Sequence, residues 1–111
     1  MTDDEKMLLV AKACGWTLVK SDLIVSDESR WWVPEIRCYF KAPGSIQVMA
    51  EIVAKLGLQI HANNMLGVAE CSTKGVLFND LKASRIPADG NIKAALCRAV
   101  FEVAAKIGET L

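Results

Sequence analysis

NIKAALCRAVFEVAAKI, residues 91–107, is the longest clean helical pattern in the chain. Ile92, Leu96, Ala99, Val100, Val103 and Ile107 recur at three- and four-residue spacing and form one apolar stripe. A surface helix would be polar on its other side. Here Ala94, Cys97, Phe101, Ala104 and Ala105 make a second apolar strip, roughly opposite the first. A helix with two apolar faces must bury both. One face is expected against a sheet of its own domain. The other has two candidate partners, the first helix of the chain or a copy of itself. In the second case Cys97, Phe101 and Ala104 form a homo-oligomer interface.

The rest of the chain supplies elements for that helix to hold together. Residues 2–14 read as a first helix, with Thr2 and Glu5 as a capping box and Gly15 at the stop. Met7, Val10, Ala11 and Cys14 form its inward stripe, broadened by Leu8 and Leu9. Residues 16–19 are a short apolar segment and 21–30 a polar excursion. Residues 36–40 read as a short strand or an extended lead into a helix over 43–56, with Pro43 in its first turn and Gly57 at its end. Ile46, Met49, Ile52, Val53 and Leu56 are its expected core face. Three strands follow, over 58–62, 66–72 and 76–86, separated by turn residues Asn63-Asn64 and Thr73-Lys74-Gly75. Short turns make the strands antiparallel. The fold class is α+β: an α/β/α sandwich in which helices cover a small antiparallel meander of three to four strands.

Composition narrows the function classes. At 111 residues the chain is expected to form one domain, 1–111, with a real core. Thirteen basic and thirteen acidic residues leave no net charge, which argues against a constitutive nucleic-acid binder and favours self-association. The N-terminal MTDDEKMLLVAKACG carries acids where a secretory signal needs bases, and its apolar run is too short to span a membrane. The expected setting is the cytoplasm. Cys14, Cys38, Cys71 and Cys97 are widely spread and read as free thiols in a reducing compartment. With one histidine there is no His-rich zinc site, and neither metal nor cofactor is expected.

Candidate ligand contacts cluster in two regions. Arg30, Trp31 and Trp32 combine a guanidinium with two indoles, chemistry that stacks on a base and neutralises a phosphate. The alternative is one tryptophan in the core and one at an interface. Arg37 and Tyr39 share a face if their segment is a strand, and extend the same site. His61 and Asn64 sit at a strand end, and Lys74 in a glycine-flanked turn, where backbone N–H groups can meet an anion. Each is equally an ordinary turn residue. Asp89 or Asn91 caps the last helix. No phosphate-loop or dinucleotide motif occurs. The scattered carboxylates nominate no acid–base pair.

Four features in order resemble the phage ABA sandwich family, a group of small phage proteins: an acidic first helix ending in Gly15-Trp16, the segment Trp32-Val33-Pro34 before the second helix, a short meander, and the helix opening Ala95-Leu96-Cys97-Arg98-Ala99. The chain departs from the family between Pro34 and Ile46, where Tyr39-Phe40-Lys41-Ala42-Pro43 replaces an aspartate- and tyrosine-containing lead. The resemblance implies a phage accessory protein acting in the bacterial host cytoplasm. Small phage proteins of this size include oligomeric sponges that sequester nucleotide signals of bacterial immunity.

The expected function is therefore a non-enzymatic oligomeric binder of an anionic ligand such as a signalling nucleotide. An adaptor or inhibitor of a host protein, anchored by the tryptophans, is the second expectation. A double-stranded-RNA-binding-like module is the third. Residues 43–107 follow its element order, but only Lys93 stands where its lysine cluster should be.

Overall fold

Thr2 opens the first helix, α1 (Asp3–Cys14): its hydroxyl accepts the Glu5 N–H at 3.3 Å, and Asp3, Asp4 and Glu5 oppose the positive end of the helix dipole. Gly15 ends it in the left-handed region, φ 71°, returning its N–H to the last carbonyls. Met7, Val10, Ala11 and Cys14 are the buried face that their spacing predicts. Leu8 does not broaden it and is exposed.

The computed structural model describes residues 2–20, 31–40, 45–63, 67–73, 83–87 and 91–110. After α1 come β1 (Val19–Lys20), β2 (Trp31–Val33), β3 (Cys38–Phe40), α2 (Ile46–Leu56), β4 (Leu58–Asn63), β5 (Val68–Thr73), β6 (Ala83–Pro87) and α3 (Ile92–Glu109). The architecture is α+β, with three helices and two small antiparallel sheets ordered β1-β2-β3 and β4-β5-β6. The second sheet is the expected meander. The first occupies a stretch whose sequence suggests only its third strand.

Helix α2 starts later than expected. Ser45 is its cap, accepting the Val48 N–H at 3.3 Å, so Pro43 precedes the helix and lies outside the described residues. Val48 and Ile52 are its buried residues, with Met49, Val53 and Leu56 packed alongside. Ile46, expected in the core, is exposed. Two residues from Val48 is about 200° around the helix, which turns Ile46 to the far side.

In the meander, β4 pairs with β5 and β5 with β6, with Ile60 opposite Cys71 and Cys71 opposite Ser84. Alternation sends Ala69 and Cys71 inward, where both are buried. Small side chains on the central strand let a helix lie close to the sheet. Of the third strand, expected over 76–86, the structure describes Ala83–Pro87, and residues 74–82 lie outside the described set.

That helix is α3. Asn91 caps it, accepting the Ala94 N–H at 3.1 Å. Its most extensive contacts are with α1 and with β5 and β6. Val100 and Val103 are fully buried within the chain, and so are Phe101 and Ala104. Phe101 meets Phe40 of β3 edge-to-face at 6.1 Å. The strip Cys97, Phe101 and Ala104 is thus filled by the chain's own elements and presents no surface to a second copy. The expected oligomer interface there is corrected: an unforeseen small sheet, together with α1, covers the strip.

Helices α1 and α3 run parallel. Asp3 receives both terminal nitrogens of Arg98, at 2.9 and 3.2 Å, and Lys6 donates to Glu102 at 2.8 Å. Further along, α1 packs onto Gly108, where an added Cβ would sit 2.6 Å from the Leu9 carbonyl carbon. Glycine in a helix interior ordinarily costs about 0.5–1 kcal/mol relative to alanine. Here the sign reverses: Gly108→Ala is expected to destabilise the protein by about 1–3 kcal/mol, as overpacking does, read from urea unfolding.

The Asp3–Arg98 pair gives a pH signature. The hydrogen bonds from Arg98 lower the Asp3 pKa, against a smaller opposing effect of burial. A lowered folded pKa stabilises above the unfolded value, about 3.9, and the gain is lost as pH falls through the folded value. Asp3 is half exposed, so solvent limits the gain to about 0.5–1 kcal/mol. Asp3→Asn is expected to lower stability by that amount at pH 7, with the difference from wild type shrinking in urea titrations as pH falls below the unfolded value.

Candidate functional site

Pairing in the small sheet decides what each aromatic residue does. Val19 lies opposite Trp32, Trp31 opposite Phe40, Trp32 opposite Tyr39 and Val33 opposite Cys38. Directly opposed residues share a face, and neighbours along a strand do not. Trp31, Val33, Cys38 and Phe40 therefore face inward. Val33 and Phe40 are fully buried, and Trp31 packs on the same core. Phe40 sits between Trp16 at 6.3 Å and Phe101, both edge-to-face.

The other face carries a row across all three strands: Val19, Trp32 and Tyr39. Val19 is 43 % exposed and Tyr39 45 %, with Trp32 half-buried between them. Trp32 and Tyr39 meet at 5.0 Å and 64°. This edge-to-face contact fixes both rings relative to one another.

A four-residue turn, residues 34–37, joins β2 to β3. Pro34 suits its opening. The Ile36 N–H donates to the Val33 carbonyl and the Arg37 N–H to the Pro34 carbonyl, each at 3.3 Å. Arg37 takes φ 50°, the left-handed region, and is exposed. It is a turn residue, not a strand residue sharing a face with Tyr39, because the hairpin closes through it. Glu35 anchors the turn from outside: its carboxylate accepts the Thr17 N–H through both oxygens.

Behind the turn lies an open cleft of about 400 Å³, lined by Cys14, Gly15, Trp16, Glu35, Ile36, Glu51, Ala54 and Lys55. It holds two carboxylates and one ammonium. The C-terminal ends of α1 and α2 border it, and their carbonyls add negative potential. An anion is disfavoured there. Burial pushes the Cys14 thiol up to about 12, with Lys55 pulling weakly the other way, so the cleft offers a protonated thiol rather than a nucleophile. Burial likewise raises the Cys71 thiol to about 11 and raises that of Cys97.

Of the residues nominated from sequence, Trp32 and Tyr39 come together on one solvent-facing row, with Arg37 in the adjoining turn. Trp31 is turned into the core. His61 is exposed on β4 in the other sheet, opposite Glu70 in register. Arg30, Asn64 and Lys74 lie outside the described residues. Val19 and Glu35 belong to the site region and escape a sequence reading. Val19 joins the row only through strand pairing, and Glu35 acts only through the fold that brings Thr17 to it. No protein family, curated protein or solved structure matches the chain.

A non-glycine residue held at positive φ carries strain. Arg37→Gly is expected to raise stability by about 0.5–1 kcal/mol in thermal unfolding, while removing the guanidinium from the adjoining turn.

Proposed function

We propose that the protein is a non-enzymatic binder whose recognition surface is the outer face of β1-β2-β3. One observation carries this reading: Trp32 and Tyr39, already oriented by each other, share with Val19 a row whose two ends are exposed. Ordered aromatic surface in contact with water is where binding energy is gained at small entropic cost. The Trp32 and Tyr39 rings offer stacking area, and Arg37 in the adjoining turn offers a cation. A planar ring carrying an anionic group answers both, which makes a nucleotide the favoured ligand class. With the likeness to phage ABA sandwich proteins, the biological role is sequestration of a nucleotide immune signal in the host cytoplasm, by binding without turnover. Val19 favours one second reading. It makes the row continuous and apolar, the kind of anchor an adaptor or inhibitor sets into a host protein.

Titration with linear and cyclic nucleotides, read by tryptophan fluorescence and melting temperature, separates the two. Ligand at 100-fold its Kd adds about 2.7 kcal/mol to stability. The nucleotide reading expects a rise in melting temperature with at least one compound, abolished in Trp32→Ala and weakened in Arg37→Gly. No response across the panel sinks it. Retention of one host protein by wild type and not by Trp32→Ala then supports the adaptor.

A further inference from the structure

Among the described residues, one edge of the meander has no neighbouring strand. β4 bonds to β5 on one side, and no backbone hydrogen bond from a described residue reaches its other side. Natural sheets protect such edges with proline, charged side chains or shortness. The opposite edge, β6, ends in Pro87. In the small sheet, the edge strands β1 and β3 are two and three residues long. β4 spans six residues, LQIHAN, with no proline, lysine, arginine, aspartate or glutamate. Gln59, Ile60 and His61 at its middle are all exposed. Ile60 is 41 % exposed although its cross-strand neighbour Cys71 is 2 % exposed. The apolar row on the helix side of the sheet therefore ends in an uncovered isoleucine.

We infer that β4 pairs antiparallel with β4 of a second copy of this chain, about a two-fold axis through Ile60, joining the two meanders into one six-stranded sheet. Unpaired backbone N–H and C=O groups call for another strand, and the side chains identify which. Centred on Ile60, two-fold pairing keeps the helix side of one sheet continuous with that of the other. Ile60 then meets Ile60 of the second copy, and Leu58 meets Ala62. On the opposite side Gln59 meets His61. Apolar thus opposes apolar, polar opposes polar, and no like charges are brought together. A shift of one residue would set Ile60 against His61 and put the two helix layers out of line. The pairing is separate from the outer face of β1-β2-β3, so either assignment stands if the other fails.

Sedimentation velocity of the full chain over a hundredfold range of concentration reads the association directly. The expected result is a dimer whose fraction rises with concentration, and its loss in Ile60→Lys, an edge lysine at an already exposed position. Circular dichroism melting of that variant is expected to match wild type at a concentration where wild type is monomeric. A monomer at every concentration, or a dimer unchanged by Ile60→Lys, overturns the proposal. Register has its own readout under mild oxidation. Ile60→Cys is expected to give a covalent dimer on a non-reducing gel because its own copy lies directly opposite. Gln59→Cys, facing His61 instead, is expected to give no more than wild type. Equal cross-linking by both variants overturns the two-fold register.

Discussion

Everything in this domain leans on the requirement that α3 be buried from two sides. Its apolar residues run around the cylinder, with Val100, Phe101, Val103 and Ala104 all without solvent contact. A single sheet can cover only one side of such a helix. The meander takes one, through the small residues Ala69 and Cys71. The other is shared by α1 and by Phe40 of the small sheet. The small sheet is thereby fastened to the core through one inward row, which leaves its alternate row facing water. The same alternation that anchors Trp31 and Phe40 exposes Trp32 and Tyr39. The proposed recognition surface and the core are two faces of one short hairpin.

How much of this can be read from residues depends on how far each interaction reaches along the chain. Thr2, Gly15, Gly57 and Asn91 act on backbone three or four positions away, and their roles as caps are legible without a structure. So is the inward stripe of α1. The double face of α3 is equally legible, and so is α1 as one of two candidates for its second side, whereas the small sheet that shares that side is not. β1 and β2 have two and three residues and pair across residues 21–30, so no local period announces them. Without that sheet, a copy of α3 is the natural candidate to cover Phe101. The site behaves the same way. Composition picks out the tryptophans, and only the register of β2 with β3 decides which indole is structural. Arg37 in a strand would sit beside Tyr39. Its left-handed backbone places it in the turn instead.

Charge orients the first and last helices relative to one another. Arg98 holds Asp3 through two hydrogen bonds, lies 3.5 Å from Glu102, and covers the Phe101 ring at 5.4 Å. The pair is partly exposed, so its contribution is alignment more than stability. The arginine stem and ring contact tie that alignment to the same phenylalanine that receives the small sheet. Glu35 at the cleft is likewise occupied with backbone, through the Thr17 N–H.

Gly108 against Leu9 has a consequence in time as well as in space. The partners of α1 lie about 95 residues downstream, as the separations of 95 for Asp3–Arg98 and 96 for Lys6–Glu102 record. During synthesis at about 5–20 residues per second, α1 leaves the ribosome roughly 5–20 seconds before the surface that fits it exists. In that interval Met7, Val10 and Cys14 have no native cover, and a twelve-residue helix is marginal on its own. A segment made early is therefore among the last to find its place. A nascent chain stalled before α3 would present an apolar stripe for chaperones to hold.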